Sequence, residues 1–248
     1  MGGSWLTRPG MTAVVGSFGD IEVHHHPAVQ LAVGIDGPLV LVAGDGTEQR
    51  CSVAAVAGGT RHAMRPGGAS AALSVYLGAE TSTATTLNAV IESHGHHRGL
   101  WAIDDVDSLV AAVTGAVRAE DLAGAADMVI DGLLGRADRA PAAVHPQVRA
   151  AIELVTARVP RRTDLGSVAG EVAMSADHLG RLFRKQTGAS FGAMARWTRL
   201  LAALEHLGAG ASITDAAHLA GFADGPHATR VCRELTGIAP SAVARALS

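Results

Sequence analysis

The spacing of apolar and polar residues divides the chain into a strand-rich first part and a helical remainder. Short apolar runs at 29–35, 39–43 and 71–77 are separated by clusters of glycine, aspartate and proline, a pattern typical of β-strands. These runs predict a small β-unit over about residues 13–78. From about residue 82 onwards the apolar residues recur at helical spacing instead.

Two apolar stripes with helical spacing follow the β-unit and predict a helical hairpin over about residues 82–138. The first stripe, 106–117, follows Asp104, a residue type that favours the N-cap position of a helix. The second stripe is 122–133. Both stripes could pack on the β-unit or against the same element of a second subunit, and the sequence leaves these alternatives open. The segment 136–146 contains alanine and proline typical of a linker, and the pattern after it is helical.

The last third of the chain contains an internal duplication. The apolar positions of the first copy recur 48 residues later, as Leu165 and Ile213, Val168 and Ala216, and Val172 and Ala220. Further along, Arg181 and Gly188 recur 49 residues later as Arg230 and Gly237. Each copy predicts a short helix, a tight turn and a longer helix closed by glycine, which is the pattern of a helix-turn-helix unit.

A predicted helix over residues 190–207 connects the two copies, and its apolar face includes Phe191 and Trp197. Its eighteen residues would be about 27 Å long, which is close to the repeat of about 34 Å between neighbouring major grooves on one face of a duplex. Ser175 and Asp224 are predicted to cap the longer helices of the two copies. One subunit could therefore place two helices in adjacent major grooves.

The charge distribution indicates a polyanionic partner for the C-terminal end. Residues 1–157 carry 9 Arg and 16 Asp or Glu, whereas residues 158–248 carry 11 Lys or Arg and 7 Asp or Glu. The net charge of −3 therefore combines −7 in the first segment with +4 in the second. The chain lacks both the long apolar run of a membrane span and the pattern of a signal peptide. Its two cysteines lie in different halves and fit reduced thiols, so we expect a cytoplasmic protein without membrane association.

An ordered set of residues in the duplicated part forms a recognisable motif. It consists of Met174-Ser175, Leu179-x-Arg181-Leu182-Phe183-Arg184-Lys185, Thr187-Gly188, Arg199-Leu200, Ala217, Gly221-Phe222-x-Asp224, Thr229-Arg230 and Gly237-x-x-Pro240-Ser241. On these residues the segment 164–247 resembles the AraC/XylS family of transcription regulators. The resemblance covers about a third of the chain, and the ordered set is far more specific than any single match.

The resemblance implies two recognition helices, over about residues 176–186 and 225–235. Arg181 and Arg230 occupy matched positions in the two copies. Because arginine can pair with both major-groove acceptors of guanine, we expect these two side chains to read bases. The residues that would face the bases with them are His178, His227 and Thr229. The residues expected to approach phosphates, and so to set affinity and register, are Arg184, Lys185 and Arg233.

The chain departs from the family pattern within these units. Ala228, Cys232 and Val243 stand where the family usually has aromatic residues, which predicts a thinner core in the second unit. Gly180 and Gly225 offer no side chain to a base. We therefore expect fewer direct base contacts than usual and a modest DNA affinity for a single subunit.

The first part of the chain contains two histidine motifs. They are Gly19-x4-His24-x-His26-x3-Gln30-x6-Gly37 and Gly59-x2-His62. They resemble the two sequence motifs of cupin β-barrels, with Gln30 where glutamate is usual. His24, His26 and Gln30 have the same parity, so on one strand they would face the same side. His62 could reach them from a neighbouring strand inside the barrel.

Two kinds of effector suit these four side chains. Three neutral imidazoles and one oxygen ligand suit a divalent transition metal ion such as Zn, Ni, Fe or Cu. The glutamine lacks the charge of the usual glutamate, however. The alternative is an apolar or mixed pocket for a small organic molecule, edged by the same side chains.

These features together predict an α+β chain with two domains. A cupin-like sensor and dimerisation domain over residues 1–140 would combine a β-barrel with the helical hairpin. An all-α DNA-binding domain over residues 146–248 would contain two helix-turn-helix units joined by a long helix. The basic balance of the second domain agrees with this division.

The expected function is sequence-specific binding of double-stranded DNA by a regulator that responds to a small molecule or a metal ion in the barrel. A homodimer is expected, and the family implies RNA polymerase as a further partner. No enzymatic activity is expected, because the barrel motif lacks its glutamate and no other catalytic constellation stands out. Two alternatives stay open: a cupin metalloprotein or enzyme with a helical appendage, and a constitutive DNA-binding protein whose barrel only dimerises.

Overall fold

The computed structural model describes residues 3–95, 97–136 and 143–247, so residues 137–142 of the expected linker lie outside it. The strands are β1 (Ser4–Arg8), β2 (Met11–Ser17), β3 (Ile21–His24), β4 (Val29–Gly34), β5 (Leu39–Ala43), β6 (Glu48–Cys51), β7 (Val53–Val56), β8 (His62–Pro66), β9 (Ala71–Leu77) and β10 (Leu100–Ile103). The helices are α1 (Ser82–His94), α2 (Asp107–Arg118), α3 (Leu122–Leu134), α4 (Pro146–Ala157), α5 (Leu165–Glu171), α6 (Ala176–Thr187), α7 (Phe191–Gly208), α8 (Ile213–Leu219), α9 (Gly225–Thr236) and α10 (Pro240–Leu247).

The strands form two antiparallel sheets that pack face to face. The large sheet has the order β1-β2-β9-β4-β7-β10 and the small sheet the order β3-β8-β5-β6. Their facing sides share an apolar core, to which β4 and β7 contribute Ala32 and Val56 and the small sheet contributes Leu39, Leu41 and Met64. The strand pairings of the described residues stay within each sheet. The expected barrel is therefore a two-sheet sandwich.

The helices α1 to α3 cover the other face of the large sheet. Leu31 and Leu73 of the sheet share one core with Leu87 of α1, Val113 of α2 and Val129 of α3. All five side chains are almost fully buried within this single chain. The two apolar stripes found in the sequence thus pack mainly on the β-unit.

Two short strands escape the sequence pattern. β1 lies before residue 13 and pairs with β2, and β10 lies inside the segment 82–138 that was expected to be helical, where it pairs with β7. β10 has four residues and β1 has five. Runs of this length carry too little periodicity to distinguish a strand from a helix or a loop.

The expected cap at Asp104 is wrong. Helix α2 begins at Asp107, and its N-cap residue Val106 makes no side-chain capping bond. The carboxylate of Asp104 instead accepts the backbone N–H of Ser52, 3.1 Å away. Asp104 therefore fixes the end of β10 beside the β6–β7 turn, a long-range role that sequence spacing does not reveal.

The C-terminal helices pack around α7. Phe191, Met194 and Trp197 of α7 lie in one core with Phe183 of the first helix-turn-helix unit and Val231 of the second. The buried face of α7 thus holds the two units together.

Among the described residues, no helix is both long and apolar enough to cross a membrane.

The caps of the recognition helices agree with the sequence. Ser175 and Asp224 accept the N–H groups of His178 and His227 and start α6 and α9. Each helix ends at a glycine in the left-handed conformation, with φ of 69° at Gly188 and 71° at Gly237. Only glycine adopts this conformation without a steric cost.

The packing of α3 on the large sheet predicts a difference in stability between two of its residues. Leu133 is fully buried, so Leu133→Ala should lower the free energy of unfolding by about 2–5 kcal/mol. Met128 on the same helix is 41% exposed, so Met128→Ala should cost less than about 1 kcal/mol. Chemical denaturation monitored by circular dichroism measures both values. Equal losses would contradict this assignment of the buried face.

Candidate DNA-binding surface and three-histidine site

Helix α6 presents a polar face to solvent and an apolar face to the core. Leu179 and Phe183 are fully buried, and their four-residue spacing fixes the orientation of the helix. The basic residues His178, Arg181, Arg184 and Lys185 are all exposed. Arg181 pairs with Asp177 of the same helix at 3.1 Å. Both side chains are more than 70% exposed, so this pair is weak and a phosphate or base can displace it.

Helix α9 repeats this arrangement in the second unit. Arg230 and Arg233 are exposed, whereas His227 and Thr229 are half-buried. The ring of His227 packs edge-on against Phe222, with centroids 5.5 Å apart. Arg230 is therefore free to reach outwards, while His227 also contributes to the fold.

The second unit is packed in spite of its small side chains. Ala228 and Cys232 are 5% and 0% exposed, although they stand where aromatic residues were expected. An ion pair between Arg196 and Glu234, 2.7 Å apart, adds a polar link between α7 and α9. Gly225 is buried and Gly180 half-buried. Because both are glycines, neither has a side chain that could contact DNA.

The four residues that were expected to line a barrel meet at one buried point between the two sheets. His24, His26, Gln30 and His62 are each at most 4% exposed. One ring nitrogen from each of the three histidines lies within 4.8 Å of the others. His24 and His62 are direct neighbours in the β3–β8 pairing, as the sequence suggested.

The expectation that one strand carries His24, His26 and Gln30 is wrong. His24 ends β3 in the small sheet, Gln30 lies on β4 in the large sheet, and His26 lies in the crossover between them. Parity along one strand was therefore not the cause of their convergence. The chain brings them together by folding one sheet over the other.

Backbone carbonyl groups fix the orientation of all three imidazole rings. The Nδ1 atoms of His24, His26 and His62 lie 2.8, 3.0 and 2.9 Å from the carbonyl oxygens of residues 22, 28 and 60. A carbonyl oxygen only accepts, so each Nδ1 carries the hydrogen. Each neutral ring then has its lone pair on Nε2, which is the tautomer that a metal-binding histidine needs.

The lone pairs of His26 and His62 converge on the side chain of Gln30. The Nε2 atoms of His26 and His62 lie 3.1 and 2.9 Å from Gln30 Oε1, and Gln30 Nε2 donates to the hydroxyl of Tyr76 over 3.3 Å. Two nitrogen lone pairs therefore face an oxygen. A cation at their centre resolves this conflict, and so does rotation of the amide, whose NH₂ group would then donate to both rings. The residues thus fit a divalent transition metal ion.

Burial keeps these groups neutral. Loss of water lowers the pKa of His24 to about 4 and that of His26 to about 3, and it lowers the pKa of His62 as well. Burial raises the pKa of Tyr76 to about 12. At neutral pH the three rings therefore keep their lone pairs available as ligands.

Tyr76 and Trp197 border this site and were not assigned to it from the sequence. Tyr76, opposite Gln30 in the β4–β9 pairing, packs against the indole of Trp197 on α7, with ring centroids 5.6 Å apart. The signal available was that Tyr76 is the single tyrosine of the chain, inside a strand that otherwise consists of Ala, Leu, Val and Ser. No local pattern links it to Trp197, 121 residues further on.

Comparisons with known proteins identify the C-terminal part. Residues 168–246 match the helix-turn-helix domain family. This part of the chain therefore carries a helix-turn-helix domain. It is 34% identical over 82 residues to the HTH-type transcriptional regulator NimR of Escherichia coli (strain K12), a match that spans 33% of this chain and 30% of that relative.

Solved structures extend the likeness to the whole fold. The crystal structure of ToxT from Vibrio cholerae O395 superposes with a TM-score of 0.65 at 12% identity, covering 97% of this chain and 99% of that one. ToxT bound to an unsaturated fatty acid, from Vibrio cholerae strain SCE256, gives a TM-score of 0.62 at 15% identity, covering 96% of each chain. The chain therefore shares this mixed α+β fold, with a sheet-rich part followed by a helical part.

The geometry around Gln30 predicts how its charge controls metal affinity. Gln30→Glu adds an anionic ligand and should tighten Zn²⁺ binding at least about 10-fold, whereas Gln30→Ala should weaken it. Isothermal titration calorimetry of the chelator-stripped chain measures both. The matched control is Gln49→Glu on β6, away from the histidines, which should leave the affinity unchanged. Equal affinities in all variants would show that Gln30 is not a ligand.

Proposed function

We propose that this chain is a sequence-specific, DNA-binding transcription regulator whose N-terminal part responds to a bound effector. The observation that supports it most strongly is the pair of recognition helices, α6 and α9, each with an exposed arginine at the matched position. A common core around α7 holds both helices. This arrangement suits the reading of two adjacent major grooves.

The proposed DNA contacts divide into two groups. Arg181 and Arg230 would read bases, because each extends from the centre of an exposed helix face. Lys185 and Arg233 lie near the C-terminal ends of their helices, with Arg184, and would bind phosphates. The proposed base contacts also include His178, His227 and Thr229. The homodimer and the contact with RNA polymerase stay predictions.

The division into base and phosphate contacts predicts different effects of two kinds of substitution. Arg181→Ala and Arg230→Ala should each weaken binding to the specific site by about 1–3 kcal/mol and relax the preference at one base pair. Arg184→Ala should weaken binding to all sequences alike and reduce the dependence on salt. Selection from a random DNA library and titrations at several salt concentrations measure these effects. Unchanged site selection in both reader variants would refute the assignment.

We further propose a divalent transition metal ion as the effector, held by His24, His26 and His62 with Gln30. Three rings already fixed in the ligand tautomer support this choice, because an apolar ligand does not require it. A second candidate is an apolar organic molecule in the adjacent cavity of about 130 Å³, which is lined by Phe18, Met64, Tyr76, Trp197, Leu201 and Ile238 among others. The structure of ToxT with a bound unsaturated fatty acid supports an apolar organic molecule as the alternative effector.

Thermal melting distinguishes the two effectors. A Zn²⁺ concentration of 100 times its Kd should raise the Tm of the chelator-stripped chain by about 5–10 °C. His62→Ala should abolish this rise, and His218→Ala, at an exposed position on α8, should retain it. A rise caused by an unsaturated fatty acid, with no response to Zn²⁺, would instead support the organic effector.

A further inference from the structure

Each histidine of the three-histidine site is connected to a different helix of the DNA-binding domain. His24 donates to the carbonyl of Glu22, and the backbone N–H of Glu22 donates to the carbonyl of Gly237 over 3.2 Å. A Cβ placed on Gly237 would lie 2.9 Å from Nδ1 of His24. The ring of His24 is therefore in close contact with the C-terminal cap of α9, the second recognition helix.

His62 is connected in the same way to the first recognition helix. Its ring donates to the carbonyl of Thr60, in the turn that joins β7 to β8. In that turn, a Cβ placed on Gly58 would lie 2.8 Å from the carbonyl oxygen of Thr187, and one placed on Gly59 would clash with the carbonyl oxygen of Gly188. The turn thus packs on the C-terminal cap of α6 with no side chain between the two backbones.

His26 contacts the helix that connects the two units. Its ring packs against the indole of Trp197 on α7, with centroids 5.2 Å apart and planes 32° apart. The carbonyl of His26 also accepts the N–H of Gly59 over 2.7 Å. His26 therefore links α7 to the same turn that packs on α6.

We propose that a metal ion in the three-histidine site sets the relative position of α6, α7 and α9, with Trp197 as the residue that transmits its binding to the DNA-binding domain. A transition metal holds each imidazole nitrogen at about 2.0–2.1 Å, so its arrival draws three separate segments towards one point. These segments touch the domain through glycine backbones and a buried indole, which leave little freedom to absorb a displacement. The metal then favours one arrangement of the recognition helices.

This inference rests on the metal effector proposed above, and hydrogen exchange in the full-length chain tests the two separately. Zn²⁺ should slow the exchange of the amides at the ends of α6 and α9, in peptides covering residues 184–189 and 233–238, by about 5–150-fold. It should change the affinity for a specific DNA site over the same range. Stoichiometry is measured in parallel by native mass spectrometry.

Trp197→Leu separates metal binding from its transmission. This variant should still bind one Zn²⁺ per chain, but the slowing of exchange should fall to about twofold or less. The matched control is Trp101→Leu, which removes a buried indole on the opposite face of the large sheet and should keep the full response. If Trp197→Leu does not fold, Gly58→Ala replaces it, because the new Cβ would lie 2.6 Å from the carbonyl oxygen of Pro27 and 2.8 Å from that of Thr187 and would move the turn away from both segments. Its control is Gly115→Ala, where a Cβ meets no atom within 4 Å.

The outcomes distinguish the two proposals. A wild-type chain that binds no Zn²⁺ overturns both the metal effector and this inference. Zn²⁺ binding without any change at the ends of α6 and α9 overturns the inference alone. A full response in Trp197→Leu, or in Gly58→Ala where that variant replaces it, also overturns the inference, since the signal would then bypass the tested contact. Loss of the response in these variants, with Zn²⁺ binding retained, supports it.

Discussion

The apolar packing of α7 is the interaction on which the rest of the molecule depends. One face of this helix buries Phe191, Met194 and Trp197 between the two helix-turn-helix units. The same helix presents Trp197 to Tyr76 of the large sheet and to His26 in the crossover between the two sheets. The spacing of the recognition helices and the closure of the histidine site are therefore set by one element. A change in the packing of α7 alters both, and neither part of the molecule is structurally independent of the other.

The sequence predicted the helices of the two helix-turn-helix units well because their signals are local. Ser175 and Asp224 cap the helices that they were expected to cap, and Gly188 and Gly237 end them. Each of these choices depends on hydrogen bonds within a few residues. The duplication repeats the same pattern in a second copy, which supports the prediction of both helices. The C-terminal ends of α6 and α9 each differ by one residue from those expected.

The sequence predicted which residues come together in the histidine site but not how the fold brings them together, because the contacts involved are not local. His24 and Gln30 belong to different sheets, and the parity argument assumed that they share a strand. Trp197 reaches the site through packing between the two parts of the chain, for which sequence spacing carries no signal. The carbonyl partners of the rings are also invisible in a sequence, since every residue has a carbonyl group. The strands β1 and β10 were missed because they are too short to show a period.

The neutral side chain of Gln30 has a consequence for which ions could occupy the site. Mg²⁺ and Ca²⁺ are hard cations that need oxygen ligands, several of them carboxylates. The cluster offers three imidazole nitrogens and one amide oxygen, all uncharged and almost fully buried. The abundant hard cations would therefore lose their water without gaining a compensating charge, so they would not compete for the site. The absence of a carboxylate would thus give the site its selectivity for the scarcer transition metals.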